Sequence, residues 1–170
     1  MTRQKAIIVC GPPGAGKTTY GRTLAAETKS LLLDIDTATE AIVRAALSAA
    51  NKDPDDRDSL WFKENFRGPI YDTLFRIAKE NLVTHDVIVV GPFTREVHQT
   101  DWPEQLGQLL RAEVEVHYVK CDPKVRRQRM ISRGEPRDLP KLKDWETFLN
   151  YYGEEAPPAF EHVLVDTSAK

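Results

Sequence analysis

Residues Gly11-Pro12-Pro13-Gly14-Ala15-Gly16-Lys17-Thr18 match the spacing G-x-x-x-x-G-K-[ST], and Thr19 follows directly. They stand between an apolar, β-type run, Ala6-Ile7-Ile8-Val9-Cys10, and a segment of helical composition. In that context the pattern is a phosphate-binding P-loop. Its glycines let the backbone curl so that successive N–H groups face one anion, and the helix N-terminus behind them adds partial positive charge. Lys17 is expected to reach the β- and γ-phosphates of ATP, and the Thr18 hydroxyl to ligate Mg²⁺.

A second apolar run ends in Leu33-Asp34-Ile35-Asp36-Thr37. Two carboxylates at the carboxyl end of a parallel strand lie where open α/β sheets bind ligands, and strand alternation sends Asp34 and Asp36 to the same side. Phosphoryl transfer to a hydroxyl needs one group to orient the nucleophile and take its proton, and acidic groups to hold Mg²⁺ or its waters. One aspartate can do each. The structural alternative for Asp36 is the N-cap of the helix that follows. The third run, Val87-Ile88-Val89-Val90, ends in Gly91 with no aspartate, which moves the metal onto Thr18 and Asp34. Further along, Arg126, Arg127, Arg129, Arg133 and Arg137 crowd one helix and the loop after it. Arg126 and Arg127 read as a solvated basic face. Spacing of three to four residues instead aligns Arg126, Arg129 and Arg133 on one side, while Arg137 lies in the Gly/Pro-bounded loop.

The elements that must position these groups follow from periodicity. A chain of 170 residues with 41% hydrophobic content makes one domain, spanning 1–170. β-type runs recur at 6–10, 31–34, 87–90, 114–121 and 162–165, with helical segments between. The continuously apolar first and third runs argue for strands buried on both faces, hence a parallel sheet covered by helices. Helices are expected over about 16–27 and 37–50, the latter with Ala38, Ala41, Ile42, Ala45 and Ala49 on one face. A polar turn with several aspartates, 51–58, leads to a short helix capped by Asp58 and carrying Trp61, Phe62 and Phe66. Gly68-Pro69 then punctuates the chain, and a new helix follows with Ile70, Leu74 and Ile77 inward. After the third run, 92–103 reads as an irregular loop, with a helix over 104–111. Pro123 opens a helix to Arg133, and 134–140 is a loop. Asp144 caps a last helix with Trp145, Phe148, Leu149 and Tyr152 as core, ended by Gly153.

Net charge of −2 removes the broad basic footprint of a nucleic-acid-coating protein. No stretch is long and apolar enough for a bilayer, and a strand begins within a few residues of Met1, so a cytoplasmic setting is expected. Cys10 and Cys121 lack ligand spacing and read as reduced, partly buried thiols.

With P-loop, D-x-D and arginine loop in hand, the chain resembles the small-molecule kinases of the P-loop superfamily. These include shikimate and gluconate kinases, chloramphenicol phosphotransferase, zeta toxins and the polynucleotide-kinase domain, a group that also passes under AAA-type ATP-binding names. The resemblance implies a three-layer sandwich around a five-stranded parallel sheet of order 2-3-1-4-5, as in nucleoside monophosphate kinases. It implies acceptor-side helices over about 37–82 and a lid over about 133–141. Asp36 becomes the base and Asp34 the Mg²⁺ partner; Gly91 matches the glycine of shikimate kinases. Pro92-Phe93-Thr94-Arg95 resembles the loop that brings an arginine to the acceptor, so Arg95 is a site candidate, as is Arg67. His98 reads as a solvated loop residue. From that mobile lid Arg133 and Arg137, with Arg129 third, would meet the phosphoryl charge; Arg129 and Arg133 would also meet the nucleotide, and Thr167 and Ser168, after the last strand, would lie against its base.

The reading is an ATP-dependent phosphotransferase acting on a small-molecule hydroxyl. Its competitors are a nucleic-acid or nucleotide-end kinase, against which the acidic 53–58 loop argues, and a non-catalytic ATP-binding module. A GTPase is disfavoured, since Asn51-Lys52-Asp53-Pro54 lacks the final aspartate of N-K-x-D and precedes the third strand.

Overall fold

The computed structural model describes residues 4–152 and 157–169, with side chains described up to residue 150 and again from 157. Five strands, β1 (Lys5–Cys10), β2 (Leu31–Asp34), β3 (Val87–Val90), β4 (Glu113–Lys120) and β5 (Val163–Asp166), form one sheet of order β2-β3-β1-β4-β5. Every pairing is parallel. The helices are α1 (Lys17–Thr28), α2 (Ile35–Ala49), α3 (Leu60–Asn81), α4 (Trp102–Leu110), α5 (Pro123–Arg133), α6 (Leu139–Lys143) and α7 (Trp145–Tyr152). None of the described helices is long and apolar enough to cross a membrane.

Strand alternation sorts the core into two layers. Ala6, Ile8, Val87 and Val89 face one side, where they pack with Ala78 of α3 and Leu106 and Leu110 of α4. Ile7, Val9, Ile88 and Val90 face the other, against Tyr20 and Leu24 of α1 and Val125 of α5. Central strands buried on both faces need no polar residues, which is why β1 and β3 read as unbroken apolar runs. The edge strand β5 is more exposed, with Val163 and Leu164 at 41% and 48%.

Three local expectations fail. The alanine stripe of α2 lies on its solvent side, with Ile42 at 72% exposure, and the buried face is Val43 and Leu47 packed on Phe62. Val and Leu at i and i+4 bury more apolar area than alanines do, so packing selects that face. The chain is not broken at Gly68-Pro69: α3 runs through Pro69 for 22 residues. Proline removes one ladder bond and strains the preceding turn, but Phe62 on one side of it and Leu74 and Ala78 on the other are all buried. The helix is thus held from both ends by tertiary packing. Its N-cap is Ser59, whose Oγ accepts from Phe62 N at 3.0 Å, not Asp58.

The loop expected over 134–140 holds a 3-10 turn, Pro136–Asp138, and then α6, with Pro140 in its first turn where a missing N–H costs little. The 92–103 loop carries a short 3-10 turn at Glu96–His98, with His98 exposed, and α4 starts at Trp102. In α7, Thr147 N donates to Asp144 Oδ1 at 3.1 Å, and Phe148 is buried while Trp145 and Leu149 are half-buried. The Tyr152 side chain and Gly153 lie outside the described residues. Both cysteines are free and buried, and burial pushes the Cys10 thiol up to about 12, which makes it a poor nucleophile.

Candidate active site

The carboxyl ends of β1, β2 and β3 open into a cleft of about 460 Å³, walled by the loop after β1, the start of α2, the first half of α3 and residues 129–141. The register sets Asp34 beside Val90, so the ends of β2 and β3 reach one level. Between β1 and α1 the chain turns through Gly11, Gly14 and Gly16, all at positive φ. Gly11 has a further reason to be glycine: a Cβ there would sit 2.2 Å from the Val119 carbonyl oxygen of β4.

Lys17 Nζ donates to Pro12 O at 2.8 Å, across the loop. Lys17 is half-buried and lines the cleft. Desolvation there pulls its pKa down to about 8, and the Asp36 carboxylate opposes that fall. Thr18 Oγ1 donates to Asp34 Oδ2 at 2.7 Å, and Asp34 Oδ1 accepts from Thr37 N at 3.0 Å. Asp34 therefore caps α2, not Asp36, and at 5% exposure it is buried beneath Thr18. Among the described residues no cluster of three His, Cys, Asp or Glu side chains could hold a metal. A hydroxyl with one carboxylate behind it suits Mg²⁺, which keeps several waters and takes its other ligands from phosphates.

The helix starts at Ile35, so Asp36 belongs to the first turn of α2 and not to the strand. Strand alternation does not govern it, yet both aspartates line the cleft. Opposite Asp36 stands Arg137, with Nη2 2.9 Å from Asp36 Oδ2 and Nη1 3.5 Å from Glu40 Oε2. One turn on, Lys141 Nζ reaches Asp58 Oδ2 at 2.6 Å. Arg133 holds the buried Asp138 with two bonds, Nε at 2.5 Å and Nη2 at 2.8 Å, which fixes the 3-10 turn that presents Arg137. The segment 133–141 thus touches α2 and the loop before α3 through ion pairs.

Gly91 takes the place of a metal-binding aspartate for a steric reason. A Cβ there would lie 2.8 Å from the ring of Phe93, a fully buried residue that closes the end of β3.

The other expected site residues divide between the cleft and its surroundings. Arg67 lines the cleft, paired to Glu96 at 2.7 Å with its guanidinium 5.1 Å over the Tyr71 ring. Arg95 does not line it and is exposed, and Thr94 of the same loop takes the cleft position. Thr167 and Ser168 also stay out of the cleft wall. Thr167 is buried behind the P-loop, and Ser168 Oγ accepts from Asp122 N at 2.9 Å. Arg129 lines the cleft while bonding Thr167 O at 2.7 Å. Arg126 is the clear reversal: far from a solvated face, it is 0% exposed, its guanidinium 5.8 Å over the Trp145 ring. The spacing aligns it with Arg129 and Arg133, and along that face burial falls from Arg126, enclosed, through Arg129, half-buried, to Arg133, exposed. Arg127 is exposed, as expected.

Arg57, Glu40 and Lys141 line the cleft and escaped sequence reasoning. Lys141 stands four residues after Arg137, a spacing that could have placed both on one side. Arg57 lay hidden in a loop read as acidic. That loop's carboxylates are spent locally: Asp55 pairs with Arg44, Asp56 bonds Ser59 and Asp58 pairs with Lys141.

Solved structures with the same fold include a candidate kinase from Chloroflexus aurantiacus (21% identical, covering 99% of this chain and 86% of that one, TM-score 0.68). A sugar kinase from a Janibacter species (14%, 97% and 86%, 0.59) is also similar. So is a gluconokinase from Sinorhizobium meliloti (16%, 100% and 86%, 0.53). At these identities the likeness is one of fold alone. No curated protein matches the sequence. A family model described as an AAA domain matches residues 7–154, and on that match the chain belongs to the AAA domain family.

Proposed function

We propose that this protein transfers the γ-phosphoryl group of ATP-Mg to a hydroxyl of a small-molecule acceptor. One observation carries the reading: the P-loop Lys17, the Thr18–Asp34 pair and Asp36, facing Arg137, all line one cleft. A nucleotide hydrolase needs only Lys17 and the Thr18–Asp34 pair. A carboxylate within the same cavity, carried by a helix start and faced by an arginine from a second segment, is what transfer to a second substrate requires. The fold shared with a sugar kinase and a gluconokinase supports it by analogy.

In this reading the backbone from Gly11 to Thr19 cradles the triphosphate and Lys17 spans its outer phosphates. Thr18, with Asp34 behind it, holds Mg²⁺, which neutralises the developing charge when bound. Arg137 leaves Asp36 as substrates enter and turns to the transferring group, with Arg133 beside it and Arg129 nearer the nucleotide. Asp36 then takes the proton of the acceptor hydroxyl as its oxygen attacks phosphorus, and ADP leaves in line. Closure of 133–141 excludes water that would otherwise hydrolyse ATP. Arg67 is proposed on the acceptor side, where Tyr71 and Phe62 supply apolar wall.

The test is ADP release measured across sugars, nucleosides, amino-alcohol antibiotics and nucleotides, with Lys17→Ala as blank. Stimulation by an acceptor, lost in Lys17→Ala and Asp36→Asn, supports the reading. The Asp36–Arg137 pair favours one rival, a regulatory ATP-binding module whose carboxylate is never released. Tight ATP binding with no acceptor-stimulated ADP would select it.

A further inference from the structure

Thr167 follows β5 directly and is 6% exposed. Its hydroxyl donates to Ala15 O, within the P-loop, at 2.7 Å, with Lys120 O more distant at 3.3 Å. Its backbone N–H bonds Lys120 O at 3.1 Å, which seats it at the end of β4. Arg129 grips it from the other side, Nη1 donating to Oγ1 at 3.1 Å and Nη2 to the carbonyl at 2.7 Å. With Arg129 donating to it, the Thr167 hydroxyl has one proton to give, and Ala15 O is the nearest acceptor. Its orientation is set by this clamp.

The consequence lies in the peptide between Ala15 and Gly16. A trans peptide is planar and its C=O and N–H point in opposite directions. A bond that holds Ala15 O against Thr167 therefore aims the Gly16 N–H the other way, away from Thr167. Gly16 itself approaches the pair closely: a Cβ there would lie 3.7 Å from Thr167 Oγ1 and 3.6 Å from Arg129 Nη1. Among the described residues, no hydrogen bond uses the Gly16 N–H.

The geometry points to Thr167 as a positioning residue that sets the P-loop for phosphate, in place of a contact to the nucleotide base. The inference rests on the phosphate-binding reading of residues 11–18. It makes Arg129 a two-sided residue, with one edge on the cleft and the other on the clamp. The anion cradle thereby depends on a residue about 150 positions away in the chain.

The two roles separate with ligands that carry phosphates but no base. Isothermal titration of the full chain with Mg-tripolyphosphate, Mg-ATP and adenosine is compared for wild type, Thr167→Ala and Thr167→Ser, each checked by circular dichroism. Ala and Ser both lack the methyl, so they differ only in the hydroxyl. The expectation is that T167A weakens tripolyphosphate and ATP alike by about ten-fold, the upper end of one hydrogen bond's net worth, while T167S stays within about two-fold of wild type. Should T167A not fold, T167V, which keeps the branched shape without the donor, takes its place. T167A binding tripolyphosphate like wild type while losing ATP or adenosine overturns the inference in favour of a base contact. Equal loss in T167S and T167A overturns it in favour of methyl packing. If wild type itself binds no tripolyphosphate, the P-loop reading fails and takes this one with it.

Discussion

Replacing Lys17 by methionine should make the protein more stable while removing its hold on phosphate. Desolvation lowers the Lys17 pKa from 10.5 to about 8. At about 1.36 kcal/mol per unit, the shift corresponds to a cost of at most about 3 kcal/mol for keeping the ammonium charged in the folded state at pH 7. Lys17 is only half-buried, which argues for a smaller figure, and the bond from Nζ to Pro12 O returns about 1 kcal/mol. Methionine matches the unbranched stem, carries no charge and suits the first position of α1. The net expectation is a gain of about 1–2 kcal/mol, which in a domain of this size raises the melting temperature by roughly 2–8 °C. The sign of the pH dependence follows from a lysine with a depressed folded-state value. The penalty is fully present below about 8 and is relieved from there to 10.5, where the unfolded chain holds a proton that the folded one has lost. Wild type should therefore close the gap to K17M as pH rises from 7 to 10. The assay is calorimetric melting of both proteins at each pH, in buffers free of phosphate and nucleotide, since a bound anion would stabilise wild type alone. A K17M protein that melts below wild type at pH 7, or a gap that does not narrow with pH, would refute the reasoning. It would mean that the ammonium is well solvated, or that it is paired more strongly than the Pro12 contact indicates.

Three further predictions come from the same geometry. Asp34→Asn keeps an N-cap for α2 and an acceptor for Thr18, so its melting temperature should fall by no more than about 4 °C, while Mg²⁺-dependent ATP binding drops steeply; unchanged Mg²⁺ dependence in titration calorimetry would remove Asp34 from the metal site. Arg137→Ala breaks a partly exposed pair with Asp36 and should change stability by less than about 1 kcal/mol in chemical denaturation, yet cut phosphoryl transfer by two orders of magnitude or more; a variant with near wild-type turnover would assign the lid another role. Gly91→Asp, which restores the residue expected of a standard metal site, should instead cost about 1–3 kcal/mol, because its Cβ meets the Phe93 ring. A G91D protein of undiminished stability and higher Mg²⁺ affinity would show that Phe93 gives way.

Local chemistry was the most legible part of the sequence. The P-loop is a contiguous stretch whose every residue answers to one anion, and the apolar runs of β1 and β3 report burial on both faces, so the parallel sheet could be read directly. Asp34 was legible as a strand-end carboxylate, although its second task as the cap of α2 was not. The failures share a cause: they depend on what packs against an element. Spacing grouped the α5 arginines correctly but could not say which way that face points, and Arg126 turned out to lie under Trp145. The alanines of α2 formed a plausible stripe until Val43 and Leu47 found Phe62. Pro69 is a local stop signal that packing at both ends of α3 overrules. Thr167 reads as a nucleotide contact because of where it falls in the chain; only the fold reveals its hydroxyl turned onto Ala15.

The decisive event is the transfer of a phosphoryl group from this cleft to an acceptor oxygen. The direct measurement is incubation of the protein with γ-³²P-labelled ATP, Mg²⁺ and a protein-free small-molecule cell extract, with products resolved by chromatography for wild type, Lys17→Ala and Asp36→Asn. The prediction is a labelled phosphate ester formed by wild type and absent from both variants. Label recovered only as inorganic phosphate, or an ester formed equally by Asp36→Asn, would contradict it.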